Sequence, residues 1–80
     1  MAPADTPATP DTTLDVRHLA PPEPLERALD AVYALAPGQR LRMRIDRDPH
    51  PLHDMLEPKG YRHTSELTSE GSYLVTIWRP

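Results

Sequence analysis

The chain contains no cysteine, and this one absence removes disulfides, thiolate metal sites, cysteine nucleophiles and persulfide carriage. It leaves the redox compartment open. Glycine is almost as scarce, with only Gly38, Gly60 and Gly71, so there is no glycine-rich loop to cradle a phosphate. No apolar run approaches the ~20 residues needed to cross a bilayer. The start Met-Ala-Pro-Ala-Asp-Thr-Pro-Ala-Thr-Pro has neither the basic opening nor the apolar stretch of a secretory signal. The expectation is a cytoplasmic protein without a membrane partner. Positive charge is not in excess either: the net charge is −3, or −1 once Asp5 and Asp11 are set aside. That balance gives no electrostatic reason to expect nucleic acid.

What is present fits one small domain. Eighty residues leave no room for a second, and a domain of this size buries only ~60% of the surface its unfolded chain exposes. The chain is 38% hydrophobic and 26% charged, within the range of globular proteins, while its 11 prolines are about twice the average share. Residues 1–12 carry no large apolar side chain beyond Met1 and are expected to form a flexible tail. Residues 13–80 form the domain.

The order of elements follows from periodicity. Thr13 to Val16 reads as a short strand with Leu14 and Val16 on one face. A helix can open at Pro22, because prolines in a first turn lack only amide protons that have no intrahelical partner. Leu25, Ala28, Leu29, Val32 and Ala36 then form one apolar stripe, and Pro37-Gly38 ends it. Arg40 to Ile45 alternates strictly, with Leu41, Met43 and Ile45 facing a core. Asp48 and Pro49 read as the N-cap and first residue of a second helix, with Leu52, Met55 and Leu56 as its apolar stripe. Tyr61 to Leu67 and Ser72 to Arg79 form a hairpin around Thr68 to Gly71, with Tyr73, Val75 and Ile77 inward. The expected fold is α+β: a two-layer sandwich of order β-α-β-α-β-β, with both helices on one face of a four-stranded mixed sheet. Its first three strands are parallel and the fourth antiparallel.

Leu14-Asp15, Leu19 and the Pro22-Glu23-Pro24 segment opening the first helix resemble the TusA/SirA sulfur-carrier family, whose signature at that junction is Cys-Pro-x-Pro. Pro37-Gly38-Gln39-Arg40-Leu41 resembles the same family's turn into its second strand. Pro21 stands where those carriers place the persulfide cysteine, so the resemblance does not extend to their chemistry. Leu14 to Leu25, together with Asp46-x-Asp48-Pro49-x-Pro51-Leu52, is more similar to an uncharacterised cysteine-less TusA-like family. That resemblance implies a bacterial accessory domain, with no catalytic role, that binds a protein partner of redox, nitrogen-oxide or hemerythrin-like type. The contact surface it suggests is Arg17, His18, Pro21, Pro22, Glu23 and Pro24, where the first helix would offer amide donors to an anion or carboxylate.

The best chemical constellation is histidine. His50 and His53 are three apart on the second helix, with Glu57 four beyond, and His18 follows the first strand at the same sheet edge. His18, His50 and His53 are therefore the candidate ligands for a transition metal in a metal-binding or metal-delivery module. The competing reading is a solvated helix face carrying histidines opposite Leu52, Met55 and Leu56. His63, at the start of the third strand, is expected at the opposite end and is left out. Asp46 and Asp48 read as caps before the second helix, and Asp15 as a turn residue near Arg17. Ser65, Ser69 and Ser72 lie away from the His18 edge and have no companion that would make a nucleophile. Arg42, Arg44 and Trp78 share the open sheet face, which reads as solvated, as a protein or self-association surface, or, against the charge balance, as a nucleic-acid platform.

Overall fold

The computed structural model describes residues 11–79. Its elements are β1 (Thr12–Asp15), α1 (Glu23–Tyr33), β2 (Arg40–Ile45), α2 (His50–Leu56), β3 (Arg62–Leu67) and β4 (Tyr73–Trp78), with a 3₁₀ turn at Glu57–Lys59 after α2. The fold is the expected α+β arrangement of order β-α-β-α-β-β. Residues 1–10 of the expected tail lie outside the described residues, and Thr12 belongs to β1.

The sheet order is β1-β2-β4-β3. β1 pairs parallel with β2, and β4 lies between β2 and β3, antiparallel to both. The first three strands thus share one direction and the fourth opposes them. The alternation of β2 appears directly as burial: Leu41, Met43 and Ile45 are buried, while Arg40, Arg42 and Arg44 are exposed. Val75 and Ile77 of β4 stand opposite Met43 and Leu41 and complete the sheet's share of the core. Ala28 and Val32 of α1, Leu52 and Leu56 of α2, and Val16 close it from the helical side.

Two helix boundaries differ from expectation. α1 stops at Tyr33, so Ala36 is outside the helix and exposed. The Val32 carbonyl accepts Leu35 N–H at 3.1 Å, and Ala36 N–H turns to the Gln39 side-chain oxygen at 3.0 Å, which closes the last turn early. In α2, Pro49 is the N-cap and no side chain among the described residues caps the helix. The expected capping by Asp48 is therefore wrong, and Asp48 is used elsewhere.

The helix α2 also presents a different face. Leu52 and Leu56 are buried as expected, but His53 is 6% exposed while Met55 is 42% exposed. At 100° per residue, His53 and Met55 flank the Leu52–Leu56 stripe on opposite sides, so a small roll decides which is covered. The polar groups waiting beneath His53 decide it.

Candidate functional site at the strand–helix junctions

At the edge of the sheet where β1 and β2 end lies a cavity of about 650 Å³. One wall comes from the segment that runs from β1 into α1: Val16, Leu19, Pro21, Pro22, Pro24, Leu25 and Ala28. The other comes from Ile45 through Asp48 and the opening of α2: Pro49, Pro51 and Leu52. Five of these residues are prolines, whose fixed φ keeps both walls in place without an ordering cost on binding. The site belongs at this edge because β1 and β2 are parallel and both feed helices there, the position where open α/β sheets place ligands.

The two walls are tied together by Asp46, whose carboxylate accepts the backbone N–H of His18 at 2.7 Å. His18 itself has φ of 69°, the left-handed region that a residue with a Cβ adopts at a cost. Asp46 is thus a clamp on the β1–α1 turn and does not cap α2, which corrects the expectation.

The six residues expected at the contact surface divide. Pro21, Pro22 and Pro24 line the cavity. Arg17 points to the other side of β1, bonding both oxygens of Asp15 at 2.7 and 3.0 Å and Glu70 at 3.3 Å. The Arg17 guanidinium, bonding its carboxylate, holds Asp15 at a pKa of about 2. Glu23 pairs with Arg27 one turn on, at 2.9 Å, and His18 is exposed at the turn. Leu19, Leu25, Arg47, Pro49, Pro51 and Leu52 line the cavity but escaped the sequence reading. The available signal was the repetition of closely spaced prolines after two parallel strands.

Arg47 is exposed and lines the mouth of the cavity without an ion-pair partner among the described residues. Asp48, on the same wall, points away toward α2 and β3. Its Oδ1 lies 3.0 Å from His53 Nε2 and accepts the Ser65 hydroxyl at 2.9 Å. Burial works against the ionised carboxyl, but the hydrogen bonds from His53 and Ser65 outweigh it, and its pKa falls below the usual carboxylate range.

The histidines meet in an arrangement the sequence did not suggest. His63, expected at the far end, stacks on His53 with ring centroids 3.5 Å apart and planes 4° from parallel. α2 runs back over the sheet from the end of β2, so His53, one turn in, reaches the start of β3. His50 meets His53 edge-on at 6.2 Å, and Glu57, expected beside His53, lies 4.0 Å from His63. Burial first, then the neighbouring His53, pushes the His63 pKa down.

Ser65, expected without a companion, has two. Asp48, His53 and Ser65 are the residue types of a hydrolytic triad, but they are connected differently. A triad places the carboxylate on one ring nitrogen and the hydroxyl on the other. Here both Asp48 and Ser65 sit at Nε2, the latter at 3.5 Å, and His53 Nδ1 is buried without a partner among the described residues. A proton on Nδ1 would leave a buried donor unpaired, so Nε2 carries it and donates to Asp48. His53 then has no lone pair facing Ser65, and the hydroxyl donates to the carboxylate.

Of His18, His50 and His53, expected as metal ligands, His50 and His53 meet edge-on, and among the described residues no group of three or more His, Cys, Asp or Glu side chains is placed to hold an ion. On the open sheet face, Arg40 and Arg42 lie 3.6 and 3.9 Å from Asp11, and Arg44 lies 3.9 Å from Glu70. Trp78 is half-buried opposite Arg40. Among the described residues no helix is long and apolar enough to cross a membrane.

A four-stranded α+β sandwich with this order of elements is shared with the SirA-like protein from Desulfitobacterium hafniense, whose crystal structure superposes with a TM-score of 0.73 at 29% identity, covering 82% of this chain and 93% of that one. The fold class is therefore SirA-like. More narrowly, the chain belongs to the family described as "Uncharacterized conserved protein (DUF2249)", which matches residues 13–79. No curated protein matches the chain. Within this fold the chain has no cysteine, and Pro21 lines the cavity mouth.

Proposed function

We propose that the protein is a cytoplasmic, non-catalytic accessory domain that holds an apolar segment of a protein partner in the cavity at its strand–helix junctions. The cavity carries this reading. Its volume of about 650 Å³ equals roughly twenty waters at ~30 Å³ each, too large for a single ion and within the range of sites for sizeable apolar ligands. The lining is Leu, Val, Ile, Ala and Pro apart from Asp46, Arg47 and Asp48, and both carboxylates are engaged within the chain. An occupant therefore gains chiefly by displacing water from apolar surface, with Arg47 left to meet an acidic group beside the inserted segment. The partner class comes from the family resemblance: bacterial redox or nitrogen-oxide proteins, including hemerythrin-like ones.

The test starts from affinity capture, after which the captured protein is purified and titrated calorimetrically. Pro51→Glu places a charge in the cavity at an exposed position in the first turn of α2, where an acidic residue suits the helix. It should weaken binding at least tenfold, as should Arg47→Glu, while Thr13→Lys on the open face should not. Weakening by Thr13→Lys alone would move the contact to the open face and overturn the reading.

A further inference from the structure

The strand β3 lies at the edge of the sheet, so among the described residues one side of Arg62–Leu67 has no neighbouring strand. Edges of this kind are usually blunted by proline, a bulge, or a charge that repels a second strand. β3 has no proline, and its register with β4 is unbroken. Its two charges are of opposite sign, Arg62 and Glu66, placed symmetrically about Thr64. Both are exposed, and neither has an ion-pair partner among the described residues.

The backbone phase is fixed. Thr68 N–H donates to the Ser72 carbonyl at 2.8 Å, so stepping back by two, Glu66, Thr64 and Arg62 turn their backbone groups toward β4. His63, Ser65 and Leu67 turn theirs outward. The side chains of His63 and Ser65 meet His53 of α2, and Arg62, Thr64 and Glu66 occupy the opposite, open face.

We propose that β3 is a self-association edge to which a second copy of this chain adds its own β3, antiparallel, about a two-fold axis at Thr64. In this register His63 and Ser65 exchange backbone hydrogen bonds with Ser65 and His63 of the second copy, using the groups that point outward. Thr64 faces its own counterpart. Arg62 lies opposite Glu66 of the second copy, and Glu66 opposite Arg62, a self-complementary pairing of the kind an isologous interface needs. Leu67, 67% exposed, comes opposite Tyr61 on the helical face. The other registers lack this match. An axis at Glu66 or Arg62 sets like charges against each other, and an axis at Ser65 or His63 leaves both charges unmatched. The result is a continuous sheet through both copies, with the junction cavities outside the contact.

Cross-linking and charge exchange test this together. The chain has no cysteine, so Thr64→Cys introduces a single thiol. Facing residues of a non-hydrogen-bonded pair have Cα atoms about 4.5 Å apart, within disulfide range. Mild oxidation should convert Thr64→Cys to a covalent dimer, and should not do so for Thr76→Cys, one strand further in on the same face. In sedimentation, Arg62→Glu and Glu66→Arg should each be monomeric at concentrations where the wild type is dimeric, and an equimolar mixture of the two should form a heterodimer. A wild type that stays monomeric to millimolar concentration would overturn the proposal. So would equal cross-linking of both thiol variants, or a mixture that does not associate.

Discussion

The imidazole of His53 lies flat against that of His63, 3.5 Å between centroids, and this contact joins α2 to the edge strand β3. The neighbouring His53 ring, like burial, disfavours a proton on His63. His63 has its pKa lowered by burial and by His53, so the unfolded chain binds that proton more readily than the folded one. The stability His63 contributes is then fully present above its unfolded value of ~6.5 and is lost as pH falls through the lower folded value. Glu57 and Asp48 oppose this shift and His50 adds to it, which leaves the net direction downward. The thermal midpoint should fall between pH 7 and pH 5, and His63→Phe, which keeps a ring on His53 without a titrating proton, should flatten that slope. A slope unchanged by His63→Phe would place the pH dependence elsewhere.

Asp48 adds a second acid-sensitive component. Its lowered pKa means that its contribution is present above the unfolded value of ~3.9 and lost as pH falls further. Asp48→Ala removes the acceptor of two hydrogen bonds and leaves His53 Nε2 without its carboxylate, at a cost of about 1–3 kcal/mol. Ser65→Ala, at an exposed position, should cost under about 1 kcal/mol. Urea denaturation at pH 7 checks the order, and a larger loss for Ser65→Ala would contradict this account of the cluster.

The left-handed turn at His18 predicts different outcomes for substitutions at the two residues its hydrogen bond joins. His18→Gly relieves the Cβ clash at φ of 69°, and should be neutral or stabilising by up to about 1 kcal/mol, the backbone entropy of glycine offsetting part of the gain. Asp46→Ala frees the His18 N–H and should destabilise by about 1 kcal/mol. A denaturation midpoint left unchanged by Asp46→Ala would show that the clamp does not hold this turn.

The fold was legible because its long-period signals agree. The alternation of Arg40 to Ile45 and the stripe from Leu25 to Val32 each survive into the structure as burial. What was hidden depended on tertiary contacts among polar residues. Nothing in the local pattern around His53 favours it over Met55 for burial, because its partners, Asp48, His63 and Ser65, come from three other places in the chain. The cavity was half legible: parallel β1 and β2 put both prolyl segments at one edge, but only the packed walls show that Leu19, Leu25 and Leu52 close around a space.

The most direct measurement is the amide spectrum of the ¹⁵N-labelled protein titrated with the purified captured partner. The account predicts shifts concentrated at Leu19, Leu25, Arg47 and Leu52, abolished by Pro51→Glu in a protein that remains folded. Shifts concentrated on Arg42, Arg44 and Trp78, with the cavity residues unmoved, would contradict it.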